Sequence, residues 1–545
     1  MPHARRSDAV PILTIKIPGK DRHLTFIAGR SVRDILDETD IRVRAGCNGE
    51  GACGMCRIRI AGGDAGEPTV NETISLDVGT LSQGVRLACQ VKTDCDLQIE
   101  IINPAPTSSW RRMEEGWVED FSQGGTPVAD ADLSHPLGVA IDLGTTHISI
   151  TMLDLLTGRR LAGRRGLNPQ SCSGTDVLTR LMSTESEGRA AKLSSQVVQA
   201  IGEGLHDIGS REGIDLRRVS HVVLVGNTAM LTLLSGHNYN LLLQPSYWSR
   251  TIDCLPRETA PWIGAWRINP EAAVDVVPPL AGFVGSDLLS GVVSTHLIER
   301  GRGALLLDFG TNSEVALWDG DTLWVTSAAG GPAFEGCGMS CGMPADSGAI
   351  FRVHELSEEV GISFEVVGGA DPHGLCGTGM VDLLACLIKS GTLNKKGQFA
   401  QSVPAFGFPL QLEGRTIVLS KKDVDTFQRA KAAIGVAVKV LLAKAGMGYN
   451  ELKRICIGGI FGQYLDITNA MEIGLLPSIP GIVETSGNTA LAGCEAVLIS
   501  SERKEQLQEV MRRAVIINLS DCADFESLFL EHLYLMPISG NKGHD

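Results

Sequence analysis

The sequence predicts a multidomain protein combining α+β and α/β architecture: a small cysteine-bearing domain, a linker, and a larger duplicated body. Three observations carry this. Four cysteines near the N-terminus follow a C-x5-C-x2-C…C pattern, residues 104–136 are rich in Pro, Ser, Gly and charge, and an apolar strand followed by Asp-x-Gly-Thr occurs twice. At roughly 150 residues per domain, 545 residues allow three or four domains.

Composition narrows the function class. With 63 acidic and 48 basic residues the formal charge is −15, which argues against a nucleic-acid partner. The chain is 43% hydrophobic, ample for several cores, yet no apolar stretch reaches the roughly 18 to 20 residues of a membrane span. No membrane association is expected. The opening run MPHARRSDAVPILTIKIPG has two arginines but no apolar signal core before a small-residue cleavage site, so a cytoplasmic location is expected. Fourteen cysteines there argue for metal binding over disulfides.

Residues 1–103 form the first expected domain. PILTIKI and HLTFI flank the turn PGKDR as a hairpin, and SVRDILDET follows as a short helix with Ser31 and Asp34 at capping-box spacing. The run CNGEGACGMC then places Cys47, Cys53 and Cys56 on a glycine-rich loop, and Cys89 follows in RLACQ. Glycines let the backbone curl around an inorganic cluster and present N–H groups to its sulfurs. Zinc favours two C-x2-C pairs, which this pattern lacks. The spacing resembles the plant-type 2Fe-2S ferredoxins with one extra residue between the first two ligands, and the order of elements resembles their β-grasp fold. Cys47, Cys53, Cys56 and Cys89 are the expected metal ligands, with Cys95 a spare thiol. This segment holds 13 basic and 14 acidic residues, so the excess acidity lies downstream. Arg42, Arg44, Arg57, Arg59 and Arg86 lie near the ligands in sequence. They read either as charge that raises a cluster's potential or steers an acidic partner, or as a solvated strand face.

Residues 104–136 read as a flexible linker whose ends would stand roughly 30 Å apart, with a maximum near 100 Å. Trp110, Met113, Trp117 and Phe121 fall at helical spacing, so a part is expected to dock as a short helix.

In the body, GVAIDLGTTHISITMLD at 138–154 is echoed by ALLLDFGTNSEVALWDG at 304–320, and RICIGGIFGQYL follows later. An Asp at a strand end can hold magnesium through water, while the Gly and Thr after it open a tight turn onto phosphate oxygens. This trio resembles the two phosphate motifs and the adenosine motif of the actin, sugar kinase and heat-shock chaperone (ASKHA) superfamily. The resemblance implies duplicated ribonuclease-H-like ATPase lobes closing on ATP and magnesium. Asp142 and Asp308 would then manage the metal and the attacking water. Gly144, Thr145, Thr146, Gly310, Thr311 and Asn312 would cradle phosphates, and Gly458 and Gly459 would pass beneath the adenosine. The body is divided into a middle part at 137–220 and a C-terminal ATPase domain at 221–545. VVLVGNTAM and AGFVGSDLL either reach the cleft or simply close strands, and Cys337, Cys341 and Cys376 lack a convincing fourth ligand for a second cluster.

The whole chain, with its cysteine domain, VGNTAM, LLLDFGTNSE, GPAFEG and IGGIFG, resembles the reductive activators of corrinoid-dependent enzymes. It departs from their pattern in reading GMPA where a GMRA-like run is usual. The resemblance implies ATP-dependent return of cobalt(II) corrinoid to methyl-accepting cobalt(I), with one electron supplied by a 2Fe-2S cluster. The implied partners are the corrinoid protein of a methyltransferase system and an upstream electron donor of flavin or ferredoxin type, and a homodimer is left open. Moving an electron uphill by 100 mV costs about 2.3 kcal/mol, within reach of binding differences between nucleotide states. Two other readings remain: an ATP-dependent activator of a different low-potential enzyme, and a ferredoxin-fused small-molecule kinase.

Overall fold

A computed structural model describes residues 10–17, 21–37, 39, 41, 43, 51, 54, 56–104, 110–113, 116–117, 135–170, 177–185, 188–310, 313–328, 330–336, 338–345, 347–357, 361–369, 371–412 and 415–538. Cys47, Cys53, Cys337, Thr311 and Asn312 lie outside these residues.

The first domain is a five-stranded sheet in the order Arg22–Thr25, Ile12–Lys16, Leu97–Ile101, Arg57–Gly63, Val85–Leu87. Ile12–Lys16 runs antiparallel to its hairpin partner and parallel to Leu97–Ile101, the β-grasp arrangement expected. Strand alternation sets its core: Leu13 and Ile15 are buried while their neighbours face outward. Helix Val32–Asp37 covers this face, and the Asp34 N–H donates to Ser31 Oγ at 3.1 Å, as the capping spacing predicts. Between Gly63 and Val85 the chain folds into two short helices, Val70–Ser75 and Val78–Ser82. Arg86 pins them. Its Nε and Nη2 donate to the Glu72 carboxylate at 2.9 and 2.8 Å, and that carboxylate also accepts the Thr69 and Leu87 N–H groups. Both sides of this pair are buried, so Arg86 is neither a steering charge nor part of a solvated face.

The sequence repeat becomes two sheets of matching topology. The first lobe orders Ala273–Val276, Val219–Gly226, Leu137–Leu143, His147–Asp154 and Arg159–Leu167. The second orders Val483–Thr485, Arg454–Gly458, Ala304–Phe309, Ser313–Trp318 and Leu323–Ala328. In both, the strand ending in the motif Asp is central, with parallel strands on one side and antiparallel strands on the other. These are the duplicated lobes expected. The boundary placed between 220 and 221 needs correction, because it cuts through Val219–Gly226, whose seven register pairs with Leu137–Leu143 make it integral to the first sheet. Helices Ser286–Ser294 and Thr489–Ile499 cross between the lobes at very close range: a Cβ on Gly493 would stand 1.9 Å from the Ser290 carbonyl oxygen. One apolar cluster, including Ala140, Val223, Leu288, Leu306, Ala316 and Leu491, runs through both lobes.

The linker also differs from expectation. Arg111–Arg112 and Gly116–Trp117 pair as strands with Arg159–Leu167, where a docked helix was expected. The sheet has an open edge there, and its backbone hydrogen bonds outweigh a weak helical spacing. Trp110, 3% exposed, anchors this edge against Gly166 and Gly204, where a Cβ would come within about 3 Å of the indole. Phe121 lies outside the described residues. The first domain is seated on the body, with Arg33 paired to Glu212, Asp34 to Arg112, and Thr25 Oγ1 donating to Gly368 O. Among the described residues no helix is long and apolar enough to cross a membrane.

Candidate functional site

The cleft between the lobes is built from the ends of the two central strands. Asp142 ends the apolar run of Leu137–Leu143, and Asp308 occupies the equivalent place in Ala304–Phe309. After Asp142 the chain turns sharply, with the Gly144 N–H donating to His147 O at 3.0 Å, and a Cβ on Gly144 would stand 2.8 Å from that oxygen. Asn168 braces the turn by donating to Gly144 O at 2.9 Å. Thr145 and Thr146 line the cleft, and Thr146 Oγ1 donates to Glu335 Oε2 at 3.1 Å, tying the turn after Asp142 to the GPAFEG loop. Gly310 lines the opposite wall. Gly459 also borders the cleft, with φ at +84° and room for a Cβ denied by Phe309 O at 2.5 Å. Gly458 sits behind it, where a Cβ would meet Thr489 Oγ1 at 2.6 Å.

Residues that the motifs did not name complete the site. Asp287 and Asn227, from the GSDLL and VGNTAM segments, both line the cleft, so these segments reach it. Glu314 follows the second Asp loop within the quoted LLLDFGTNSE run. Asn488, Arg165 and His147 carried no sequence signal. Asn488 Nδ2 donates to Asp142 Oδ2 at 2.9 Å. Arg165 donates to His147 Nδ1 at 3.0 Å, which fixes the ring as an acceptor at that atom. Burial, aided by Arg165, pushes the imidazole down to about 3, so it stays neutral. Gly377 and Thr378 open the 13-residue helix Gly377–Lys389 onto the cleft, directing its positive end at the space between the lobes. Pro344 and Ala345 of the divergent GMPA run border the same space.

The cleft is strongly acidic. Burial raises the Asp142 carboxyl to about 6, against the pull of Asn488 and Arg165. Burial and then the Asp142 charge raise Asp308 to about 7. Burial, Asp308 and Asp142 raise Asp287 in the same way, and burial with Asp287 and Asp308 lifts Glu314 well above the carboxylate range. Among the described residues Glu314 Oε1, Ser313 Oγ and Thr489 Oγ1 are buried without a hydrogen-bond partner. Four mutually repelling carboxyls on the cleft wall, one of them with an unpartnered oxygen among the described residues, fit a divalent cation. Among the described residues no three acidic, Cys or His side chains converge tightly enough to chelate a metal directly.

In the first domain, Cys56 Sγ and Cys89 Sγ lie 3.4 Å apart. A tetrahedral metal with bonds of about 2.3 Å spaces its sulfurs by about 3.8 Å, so the pair fits two ligands of one iron. Beside them Gly51, at φ +81°, leaves a Cβ no room against Asn71 and Gln90, and Gln90 Nε2 donates to Cys89 Sγ at 3.6 Å. The Cys56 thiol and the Gln90 amide lower the Cys89 pKa despite burial. Cys95 is exposed and apart from the pair, while burial pushes Cys341 up to about 12, making it an inert thiol.

A β-grasp domain with paired thiols, seated on two ribonuclease-H-like lobes around an acid-lined cleft, defines an iron–sulfur redox protein with an ASKHA body. Comparison with known proteins sharpens this. Residues 302–541 match the family model described as the C-terminal domain of RACo, the ASKHA domain; residues 137–300 match the RACo middle region; residues 15–94 match the 2Fe-2S iron-sulfur cluster binding domain. The chain is 30% identical over 429 residues to the corrinoid activation enzyme RamQ of Eubacterium limosum, covering 72% of this chain and 69% of that protein. It is 26% identical over 411 residues to the Co(II) methylated amine-specific corrinoid protein reductase of Methanosarcina barkeri, covering 69% and 72%. Among solved structures it is similar to a reductive activator for corrinoid, iron-sulfur protein, with a TM-score of 0.67 and 25% identity over 96% of this chain and 98% of that one. The chain belongs to the RACo family of corrinoid activation enzymes. The family's division at 300 falls where the first sheet is complete.

Proposed function

We propose that this protein reactivates a corrinoid protein of a methyltransferase system, returning cobalt(II) corrinoid to cobalt(I) at the expense of ATP. The observation that carries the reading is the presence, in one chain, of a paired-thiol ferredoxin domain seated on an acid-lined ASKHA cleft. When bound, a 2Fe-2S cluster supplies one low-potential electron. Cys47, Cys53, Cys56 and Cys89 would hold it, with the Gln90 amide hydrogen-bonded to the Cys89 sulfur. In the cleft, Asp142 and Asp308, with Asp287 and Glu314 behind them, would hold hydrated magnesium. Gly144, Thr145, Thr146, Gly310, Thr311 and Asn312 would wrap the phosphates, and Gly458 and Gly459 would leave room at the nucleoside side. Asn488 and the Thr146–Glu335 bond join the two walls, so a ligand that pulls on one side of the cleft moves both. Differential binding of the corrinoid partner in the nucleotide states then supplies the few kcal/mol that an uphill electron needs.

The test mixes the reduced, cluster-loaded protein with cobalt(II) corrinoid protein and follows the visible spectrum. ATP-dependent appearance of cobalt(I) is expected. No cobalt(I) with any corrinoid partner, or ATP consumption that requires a small hydroxylated substrate instead, would sink the reading.

A further inference from the structure

The first domain meets the body through a buried ion chain that neither the cleft nor the thiol pair requires. Arg33, on helix Val32–Asp37, is 1% exposed, and its Nη2 donates to Glu212 Oε2 at 2.7 Å. Glu212 is the last residue of the long helix Arg189–Glu212, and its other oxygen accepts from Arg164 Nη2 at 2.8 Å. Arg164 Nε donates in turn to Asp207. Arg211 is buried beside them. The backbone N–H of Arg33 donates to Ala88 O at 2.9 Å, one residue before Cys89. Burial works against its charge, but Glu212, with the Cys56 and Cys89 sulfurs, more than offsets that.

The Cys56 and Cys89 sulfurs act on the same buried guanidinium that Glu212 holds, so a cluster bound there would be an anion felt directly by Arg33.

We propose that Arg33 and Glu212 are positioning residues for the iron–sulfur site: Glu212 fixes the Arg33 guanidinium between the two domains, so that the body helps set the reduction potential of the cluster. This rests on the assignment of the cluster to Cys47, Cys53, Cys56 and Cys89. Charge near a cluster shifts its potential in a known sense, since a cation favours the reduced, more negative form. Arg33→Gln removes the cation and lowers the potential. Glu212→Gln removes the opposing anion and raises it.

The test is a dye-mediated redox titration, followed by EPR, of the full chain with its 2Fe-2S content first quantified by its visible spectrum. The expected result is a shift to more negative potential in Arg33→Gln, a shift to more positive potential in Glu212→Gln, and a near wild-type value in Arg33→Lys, which keeps the charge. Should Glu212→Gln fail to fold by thermal melting, the contrast between Arg33→Gln and Arg33→Lys decides, because a purely structural role would not distinguish charge in the potential. Unshifted potentials in folded, cluster-loaded variants, or shifts of the same sign in Arg33→Gln and Glu212→Gln, would overturn the proposal. A wild-type chain that takes up no 2Fe-2S cluster would remove the cluster assignment itself, and this inference with it.

Discussion

Asn488 Nδ2 donates to Asp142 Oδ2 at 2.9 Å, while Asn488 Oδ1 accepts the Leu491 N–H and caps helix Thr489–Ile499. One amide therefore fixes a helix start and a cleft carboxylate from the opposite lobe. Asn488→Ala loses both bonds and should cost about 1 kcal/mol in cap energy alone. Asn488→Asp keeps the cap but sets a second carboxylate against Asp142, so it should weaken nucleotide binding more than stability. Calorimetric titration with MgATP beside thermal melts checks the split. Equal losses in both would contradict it.

The raised carboxyls predict a pH dependence with a definite sign. Asp142 and Asp308 are held near 6 and 7, above the usual carboxylate value, so the folded chain binds protons more tightly than the unfolded chain. Without ligand, their contribution to stability is present below about pH 4 and is lost as pH rises towards 7. For Asp142 the change is on the order of 1–3 kcal/mol once solvent in the open cleft is allowed for. MgATP should reverse the trend, protecting more at pH 8 than at pH 6, because protons compete with the cation. Melting curves with and without MgATP between pH 5 and 8 measure this, and Asp308→Asn should flatten the difference.

The lobe crossing depends on Gly493. An added methyl would stand 1.9 Å from Ser290 O, against backbone that cannot turn aside. Gly493→Ala should destabilise by about 1–3 kcal/mol. Gly264, in helix Ala260–Trp266, has open space at its Cβ position, so Gly264→Ala should stabilise by up to about 1 kcal/mol. Denaturant midpoints of the two variants should move in opposite directions.

Modularity is tested at the thiols. Cys53→Ser and Cys56→Ser should each abolish the 2Fe-2S EPR signal and electron transfer while leaving nucleotide affinity within about twofold, since the cleft residues come from other elements. Joint loss of cluster and nucleotide binding would contradict separate sites.

In the first domain, Arg86→Ala strands the Glu72 carboxylate, which is fully buried and pairs through both its oxygens. Losing one side of such a pair costs roughly 3–5 kcal/mol. The melting transition of the domain should fall, most steeply above pH 5, where Glu72 is charged in the unfolded chain.

Much of this molecule is written locally. The cysteine spacing, the alternation in ILTIK, the Ser31–Asp34 cap and the two Asp-x-Gly-Thr strands each depend on neighbours within a few residues, where backbone geometry and burial period dictate the outcome. The sequence by itself therefore determined the domain order, the duplicated lobes and the motif carboxylates. What it left open depends on which strands and helices meet in space. Between Trp110 and Met113, which stand at helical spacing, Arg111–Arg112 became an edge strand because Arg159–Leu167 offered unpaired backbone. Arg164 and Arg165 are adjacent and chemically identical, yet strand pleating sends one into the interdomain ion chain and the other to His147 in the cleft. Asn488 and Asp142 are 346 residues apart, and Arg33 and Glu212 are 179 apart. Only tertiary packing brings such pairs within bonding distance, because their energies come from shared burial and charge, which no local pattern encodes.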